Sequence, residues 1–402
     1  MTDQVIRPSI LFVALSLERG GTENHLVALL PRLRAKGWPV SIYCIATRGE
    51  LAENVAQSGV EVISPPLEGG SRFNGPAKVL RLGLTSLKLL FLMVWRRPPI
   101  VHFFLPGPYL IGAPLALLTL RPIRIMSRRN LNHYLSKRPL AARFELGLHR
   151  WMTAILGNSA SIVNELIREE KCAPDKVGLI RNGVDIAAYE APSDRGALRQ
   201  NLGLDQSTFV GVIVANLNPY KGHADLVRAL GSIAAQLPKP WVVLCAGRDD
   251  GAKAGIEALI AQHGLSDNIK LLGPRSDVPR LLAAADIGLL CSHEEGFSNA
   301  IVESMAAGLP MVVTAVGGNP EAIRHETDGL VVPARDPKAL AAAILALALD
   351  PIRRQTMGSA ASERARNLFS IEACVNAYDR LYLGLLTDQK AGSLAPMPPP
   401  VV

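Results

Sequence analysis

No two glycines in these 402 residues are spaced as Gly-x-Gly, and no Asp-x-Asp occurs. The first absence excludes a standard dinucleotide fingerprint or Walker loop. The second removes the commonest carboxylate pair for a catalytic metal. Cysteine is scarce: the five are far apart, none forms Cys-x-x-Cys, and the odd number argues for reduced, structural thiols in a reducing compartment. The start, MTDQVIRPSILFVAL, carries an acid and lacks a basic leader and a small-residue cleavage site, so no secretion signal is expected. Acid is almost missing between residues 72 and 150, where 14 basic residues face one carboxylate, Glu145. That imbalance implies an anionic partner for one face of the first half, or a generally basic, solvated surface.

Residues 98–120 hold no Asp, Glu, Lys or Arg, which is long enough to raise a membrane span. Pro106, Gly107 and Pro108 break the run, so a strand (IVHFFL), a turn and a short apolar helix are the better parse. Just upstream, LTSLKLLFLMVWRR has helical spacing and ends on two arginines. It reads as an interfacial amphipathic helix or as a plain core helix.

What fills the chain is an alternation of short apolar runs with helical patterns, in a composition 49% hydrophobic and 19% charged. Strands are predicted at Ile10–Leu15, Val40–Ile45, Ile100–Leu105, Ile123–Ser127 and Ala154–Asn158. A second series follows at Phe209–Ala215, Trp241–Ala246, Ile269–Gly273, Ile287–Cys291 and Met311–Thr314. Helices are predicted at Asp336–Leu349, Ile352–Asn367 and Ser370–Leu386. Such an order gives α/β domains with parallel sheets covered on both faces. The length calls for two domains, and the polar stretch 186–205 marks the joint. The expected division is 1–188, 189–368, a C-terminal helix at 369–386 packing back on the first domain, and a disordered Pro-rich tail at 387–402.

Three segments have the composition of binding loops. Gly20 and Gly21 lie after the first strand and open a helix, where side-chain-free backbone and helix N–H groups suit a phosphate or form a mere tight turn. Asn216 and Lys221 lie in VANLNPYKGH after the second domain's first strand; a lysine just before a helix meets a diphosphate there, or is simply a solvated cation. In EEGFSNAIVESMAAGLP, Ser298 is an N-cap, Glu295 sits in the loop before the helix, and Glu303 sits inside it. Carboxylates accept paired O–H donors, while the N–H groups near Phe297–Asn299 suit phosphate. A surface glutamate pair is the plainer alternative.

Taken in order, these segments resemble the retaining nucleotide-sugar transferases of glycosyltransferase family 4. The likeness runs from about residue 10 to 385 and includes ERGGTENHLVALLPRLRAKGWPV, ILGNSASIVNELI, VGLIRNGVD and VANLNPYKGH. It continues through LLGPRSDVPRLLAAADIGLLCSHEEGFSNAIVESMAAGLPMVV. The resemblance implies a GT-B fold, two doubly wound Rossmann-like domains facing across a cleft, and transfer of a sugar to a glycan or lipid-linked acceptor. It implies a UDP- or GDP-sugar as donor, with no further cofactor and no metal. By position, Glu303 would hold the ribose, Glu295 with Gly296–Ser298 the sugar and its phosphate, and Lys221 the diphosphate. Gly20 and Gly21 would face the donor, and Arg275 to Val278 would line the base pocket. The chain departs from the family pattern twice. Asn216 replaces an arginine, and Arg128 or Arg129 replaces a histidine; Arg129 is the catalytic candidate, unable to act as a base. A cytoplasmic enzyme, peripheral on an anionic membrane through 72–150 and without nucleic-acid partners, is expected. An epimerase on the same scaffold, or a non-catalytic sugar-nucleotide binder, is the alternative.

Overall fold

The computed structural model describes residues 7–69, 75–131, 139–190 and 194–396. The chain forms two compact units. One comprises residues up to Gly183 and those from Ile371 onward; the other is Val184–Ser370. The first break falls earlier than the joint expected at 188/189. A Cβ on Gly183 would lie 2.7 Å from Ile371 Cα, whereas the next residue, Val184, donates its N–H to Phe369 O at 2.9 Å.

The first unit carries strands β1 (Ile10–Ala14), β2 (Val40–Cys44), β3 (Glu61–Ile63), β4 (Ile100–Phe104), β5 (Ile123–Arg128), β6 (Ala154–Gly157) and β7 (Val177–Leu179). They form one parallel sheet in the order β3-β2-β1-β4-β5-β6-β7. Both faces are covered, so β1 and β4 are buried at every residue and read as continuous apolar runs. Helices Gly75–Arg96, Pro106–Leu118 and Pro139–His149 share one face. Helix Gly21–Ala35 covers the other, with helix Ile371–Leu385 packed against it. That last helix is locked by polar bonds: Tyr382 Oη lies 2.9 Å from His102 Nδ1, and Trp38 Nε1 donates to Asp379 at 2.8 Å.

The expected disorder beyond 387 does not hold as far as residue 396. Helix Ala391–Leu394 lies along β7, with Leu179 N–H donating to Ala395 O at 2.8 Å and Ala391 and Ala395 buried. Small side chains allow this close approach, and the proline cluster starts only at Pro396. Residues 397–402 lie outside the described residues, as do parts of the basic stretch (70–74 and 132–138).

The second unit repeats the winding. Strands β8 (Phe209–Val214), β9 (Trp241–Ala246), β10 (Ile269–Gly273), β11 (Ile287–Leu290), β12 (Met311–Thr314) and β13 (Gly329–Val332) pair in parallel as β10-β9-β8-β11-β12-β13. In each sheet the chain runs outward from its first strand to one edge, then crosses to that strand's other side. The switch points, β1/β4 and β8/β11, are where such sheets bind ligands at the strands' carboxyl ends. Among the described residues no helix is long and apolar enough to cross a membrane.

Candidate active site

At the end of β8 the chain makes a short 3-10 turn, Pro219–Lys221, and leaves it through Gly222 in the left-handed region at φ 72°. A Cβ there would lie 1.9 Å from Cys291 O, so only glycine lets this loop close on the end of β11. His293 N–H donates to Tyr220 O at 2.7 Å, and the His293 ring meets Asp225 at 2.8 Å. This stitching carries Lys221 Nζ to 2.6 Å from Glu295 Oε1, and Ser292 Oγ donates to the same oxygen at 2.6 Å. The loop after β12 completes the frame. Gly317, at φ 51°, passes so close to Glu295 O that a Cβ would overlap it, and Gly318 N–H donates to Gly296 O at 2.9 Å.

Helix Asn299–Ala306 starts from this frame. Ser298 is its N-cap by position, but its hydroxyl makes no capping hydrogen bond. The Phe297 side chain turns into the core against Phe369, leaving backbone at the helix entrance. Glu303 sits one turn further in. Burial pushes its carboxyl up to about 7, opposed by a hydrogen bond from the Tyr189 hydroxyl. The Tyr189 phenol is itself pushed up by burial and by that carboxylate.

Asn216 and Arg275 occupy the same strand ends further along the rim. The Asn216 amide is used at both ends: Oδ1 accepts Arg248 N–H at 3.1 Å and Nδ2 donates to Asp250 at 3.0 Å. Arg248 pairs with Asp250 at 2.8 Å, and Arg275 grips Asp277 through two bonds of 2.8 and 2.7 Å. Sequence reasoning passed over Arg248, Asp250, Ser292 and Tyr189. The position of AGRDDG just after a predicted strand could have flagged the first two; nothing local in the sequence pointed to Tyr189.

The remaining candidates, Gly20, Gly21 and Arg129, lie in the first unit. Gly20 is the N-cap of helix Gly21–Ala35, with extended backbone, and a Cβ on Gly21 would meet nothing within 4 Å. Glu23, in that helix's first turn, has its carboxyl raised by burial, against a lowering pull from Arg129. Arg129 is buried after β5, hydrogen-bonded to Asn182 Oδ1, with its guanidinium 5.6 Å from the Phe104 ring centre.

Arg128 proves to be structural. As the last residue of β5 it points into a closed network, bonded to Glu170 at 2.8 and 3.0 Å and to Glu145 at 2.6 Å. His149 and Tyr109 extend that network at 2.9 and 3.0 Å. His25 and His102 are held neutral by burial and by Arg129's charge. Both His102 nitrogens are taken, by Tyr382 and Ser127.

Two parallel sheets, each with a switch point at its strands' carboxyl ends, define a doubly wound α/β protein. The description "Glycosyl transferases group 1" matches residues 194–364, and "Glycosyltransferase Family 4" matches residues 19–188. The chain belongs to this family of GT-B glycosyltransferases.

Among relatives, the D-inositol 3-phosphate glycosyltransferase of Streptomyces scabiei is 26% identical, over 93% of this chain and 88% of its own. The N-acetyl-alpha-D-glucosaminyl L-malate synthase of Bacillus anthracis is 29% identical, over 59% of this chain and 61% of its own. In structure, Anabaena HepE in complex with UDP-glucose aligns at TM-score 0.81 and 22% identity, covering 95% of this chain and all of that one. WaaG, a glycosyltransferase involved in lipopolysaccharide biosynthesis, aligns at 0.73 and 18%, covering 92% and 98%. At these identities the structural likeness shows the fold.

Proposed function

We propose that the chain transfers a sugar, with retention, from a nucleoside diphosphate sugar held by the second unit. The observation that carries this reading is the Lys221–Glu295 pair at the β8/β11 switch point, beside a helix entrance and one turn from Glu303. A diphosphate gains charge as the glycosidic bond breaks, so cations and N–H groups aimed at it lower the barrier most. Lys221 and the backbone of Gly296–Ser298 take that role. When the donor arrives, Lys221 exchanges the Glu295 carboxylate for phosphate, and Glu295 turns to hydroxyls of the sugar. Glu303 accepts the two ribose hydroxyls. The departing phosphate receives the acceptor's proton; among the described residues, His25 and His102, which feel Arg129's charge, are buried and held neutral.

HepE's complexes with UDP and UDP-glucose support a uridine diphosphate donor, and we assign Arg275 to the base pocket. For the acceptor, a glycan or lipid-linked hydroxyl is our reading, in cell-surface polysaccharide or glycolipid synthesis. The enzyme would act in the cytoplasm, at the membrane's inner surface, with the acid-poor stretch 72–150 toward anionic lipid. The relatives' names favour a second reading, a small anionic acceptor such as an inositol phosphate or malate. The test is nucleoside diphosphate release from UDP-glucose with lipid-linked glycan, inositol 3-phosphate and malate offered separately. Release that depends on one acceptor, with an α-linked product, supports transfer and selects the acceptor. Donor isomerisation without release, or binding with no turnover under any acceptor, overturns it.

A further inference from the structure

Helix Gly75–Arg96 carries apolar side chains on both its faces. Its buried side holds Leu89, Leu92 and Met93, together with Thr85 and Arg81, whose guanidinium donates to Ile45 O at 3.1 Å. Its outer side shows Val79, Leu80, Leu87, Phe91, Val94 and Trp95, each more than half exposed. Phe91 and Trp95 stack at 6.0 Å, forming one aromatic plate on the surface. Ordinary surface helices put the polar stripe outward, and a contiguous exposed apolar patch marks an interaction face.

The face continues onto the neighbouring helices of the same layer, with Leu118 at the end of one and Leu140 and Phe144 on the next. Between the first two lies a slot lined by Leu90, Val94, Leu118 and Thr119 together with Arg97 and Arg121. Arg97 and Leu120, flanking these helices, both adopt left-handed backbone (φ 47° and 54°), a strained conformation for non-glycine residues. Leu120 is thereby held 82% exposed.

Charge identifies the occupant. Between Gly75 and Arg150 the only acid is Glu145, buried against Arg128 at 2.6 Å. Glu61, an exposed acid outside that stretch, is tied to Arg96 at 2.8 Å. A second copy of the chain would bring this basic face against itself. A bilayer with anionic headgroups offers what the face lacks: hydrocarbon for the plate, and phosphates for the arginines.

We infer that this face of the first unit inserts into the headgroup region of an anionic bilayer, with the slot taking one anionic phospholipid at Arg97 and Arg121. The inference rests on the peripheral location proposed above and deepens it from charge attraction to insertion. Co-sedimentation of the full chain with phosphatidylcholine vesicles, with and without about one-third phosphatidylglycerol, tests it. The full chain should bind the anionic vesicles and stay bound at high salt, where contact by charge alone is screened.

Phe91→Ser with Trp95→Ser should weaken that binding at least about tenfold. These side chains are exposed, so unfolding temperature and UDP binding in solution should not change. Arg97→Glu with Arg121→Glu should abolish the preference for phosphatidylglycerol. If the serine variant binds like the parent, or salt alone strips the parent, insertion is wrong while peripheral attachment stands. If the parent ignores both vesicles and the serine variant converts a dimer to a monomer, the face is a contact between copies and the inference falls. Loss of sugar-nucleotide binding would be a separate failure, that of the transferase reading, and would leave the vesicle result intact.

Discussion

The two sheets are wound alike, yet Lys221 and Arg129, the candidate catalytic cations at their carboxyl ends, are held differently. On the second sheet each cation has its own carboxylate: Lys221 with Glu295, Arg248 with Asp250, Arg275 with Asp277. On the first, Arg19 with Glu50 and Arg48 with Glu53 are paired likewise, but Arg129 is buried on a neutral amide and an aromatic face. A paired, partly exposed cation can change partners when phosphate arrives, because the bond it gives up is replaced by one of equal kind. A cation held by neutral groups keeps its place, since its position does not depend on which anion is present. Lys221 is therefore suited to binding and releasing a charged donor, and Arg129 to presenting a fixed positive charge.

The widest separation is expected within the Lys221–Glu295 pair. Lys221→Ala should cut turnover by about a hundredfold or more and weaken UDP binding as well, since it removes the charge proposed to meet the leaving group. Glu295→Ala should lower turnover comparably but leave UDP binding unchanged or tighter, because the lysine loses its competing carboxylate. Steady-state kinetics beside UDP titration by calorimetry tells them apart. Equal loss of UDP affinity in both variants would sink the idea of partner exchange.

Next in size is Arg129→Ala. It should cost about tenfold in transfer with UDP affinity intact, because the proposed nucleotide contacts all lie on the second unit. A matching fall in UDP binding would erase the contrast between the rims.

How far could this have been read from the sequence? The strands buried on both faces announced themselves as apolar runs, and both switch points followed from their order. The three strands that escaped, β3, β7 and β13, are short and lie at sheet edges. There, one side of the ladder is open and the apolar signal is thin; β3 begins on the exposed Glu61. Lys221 and Glu295 were legible as members of motifs. Their meeting was not, since it depends on Gly222 and Gly317 letting separate loops touch. Nor could composition separate Arg128 from Arg129. The end of β5 sends the first into the Glu145–Glu170 network and leaves the second at the rim. Tyr189 is the clearest omission, because a phenol far along the chain matters here only for the carboxylate it reaches.

That phenol gives the finest test, set on the second unit's Glu303. Burial raises Glu303 from 4.5 to about 7, and no charged group offsets it. A carboxyl raised in the folded state contributes stability that is fully present below its ordinary value and lost as pH rises through the folded value. Above pH 7 the cost is on the order of 3 kcal/mol, so Glu303→Gln should unfold at a higher temperature than the parent there, and the gain should shrink toward pH 4.5.

Ribose hydroxyls need the ionised form, so nucleotide binding must expel the proton whenever it is present. UDP affinity should fall by about tenfold per pH unit below 7, and the glutamine variant should bind weakly with a flat profile. Tyr189→Phe removes the hydrogen bond that favours the carboxylate, so the break in the parent's profile should move upward by less than about one unit. If that break stays put, Tyr189 does no more than fill space beside Glu303. If the glutamine variant keeps both the parent's affinity and its pH dependence, Glu303 does not hold the ribose.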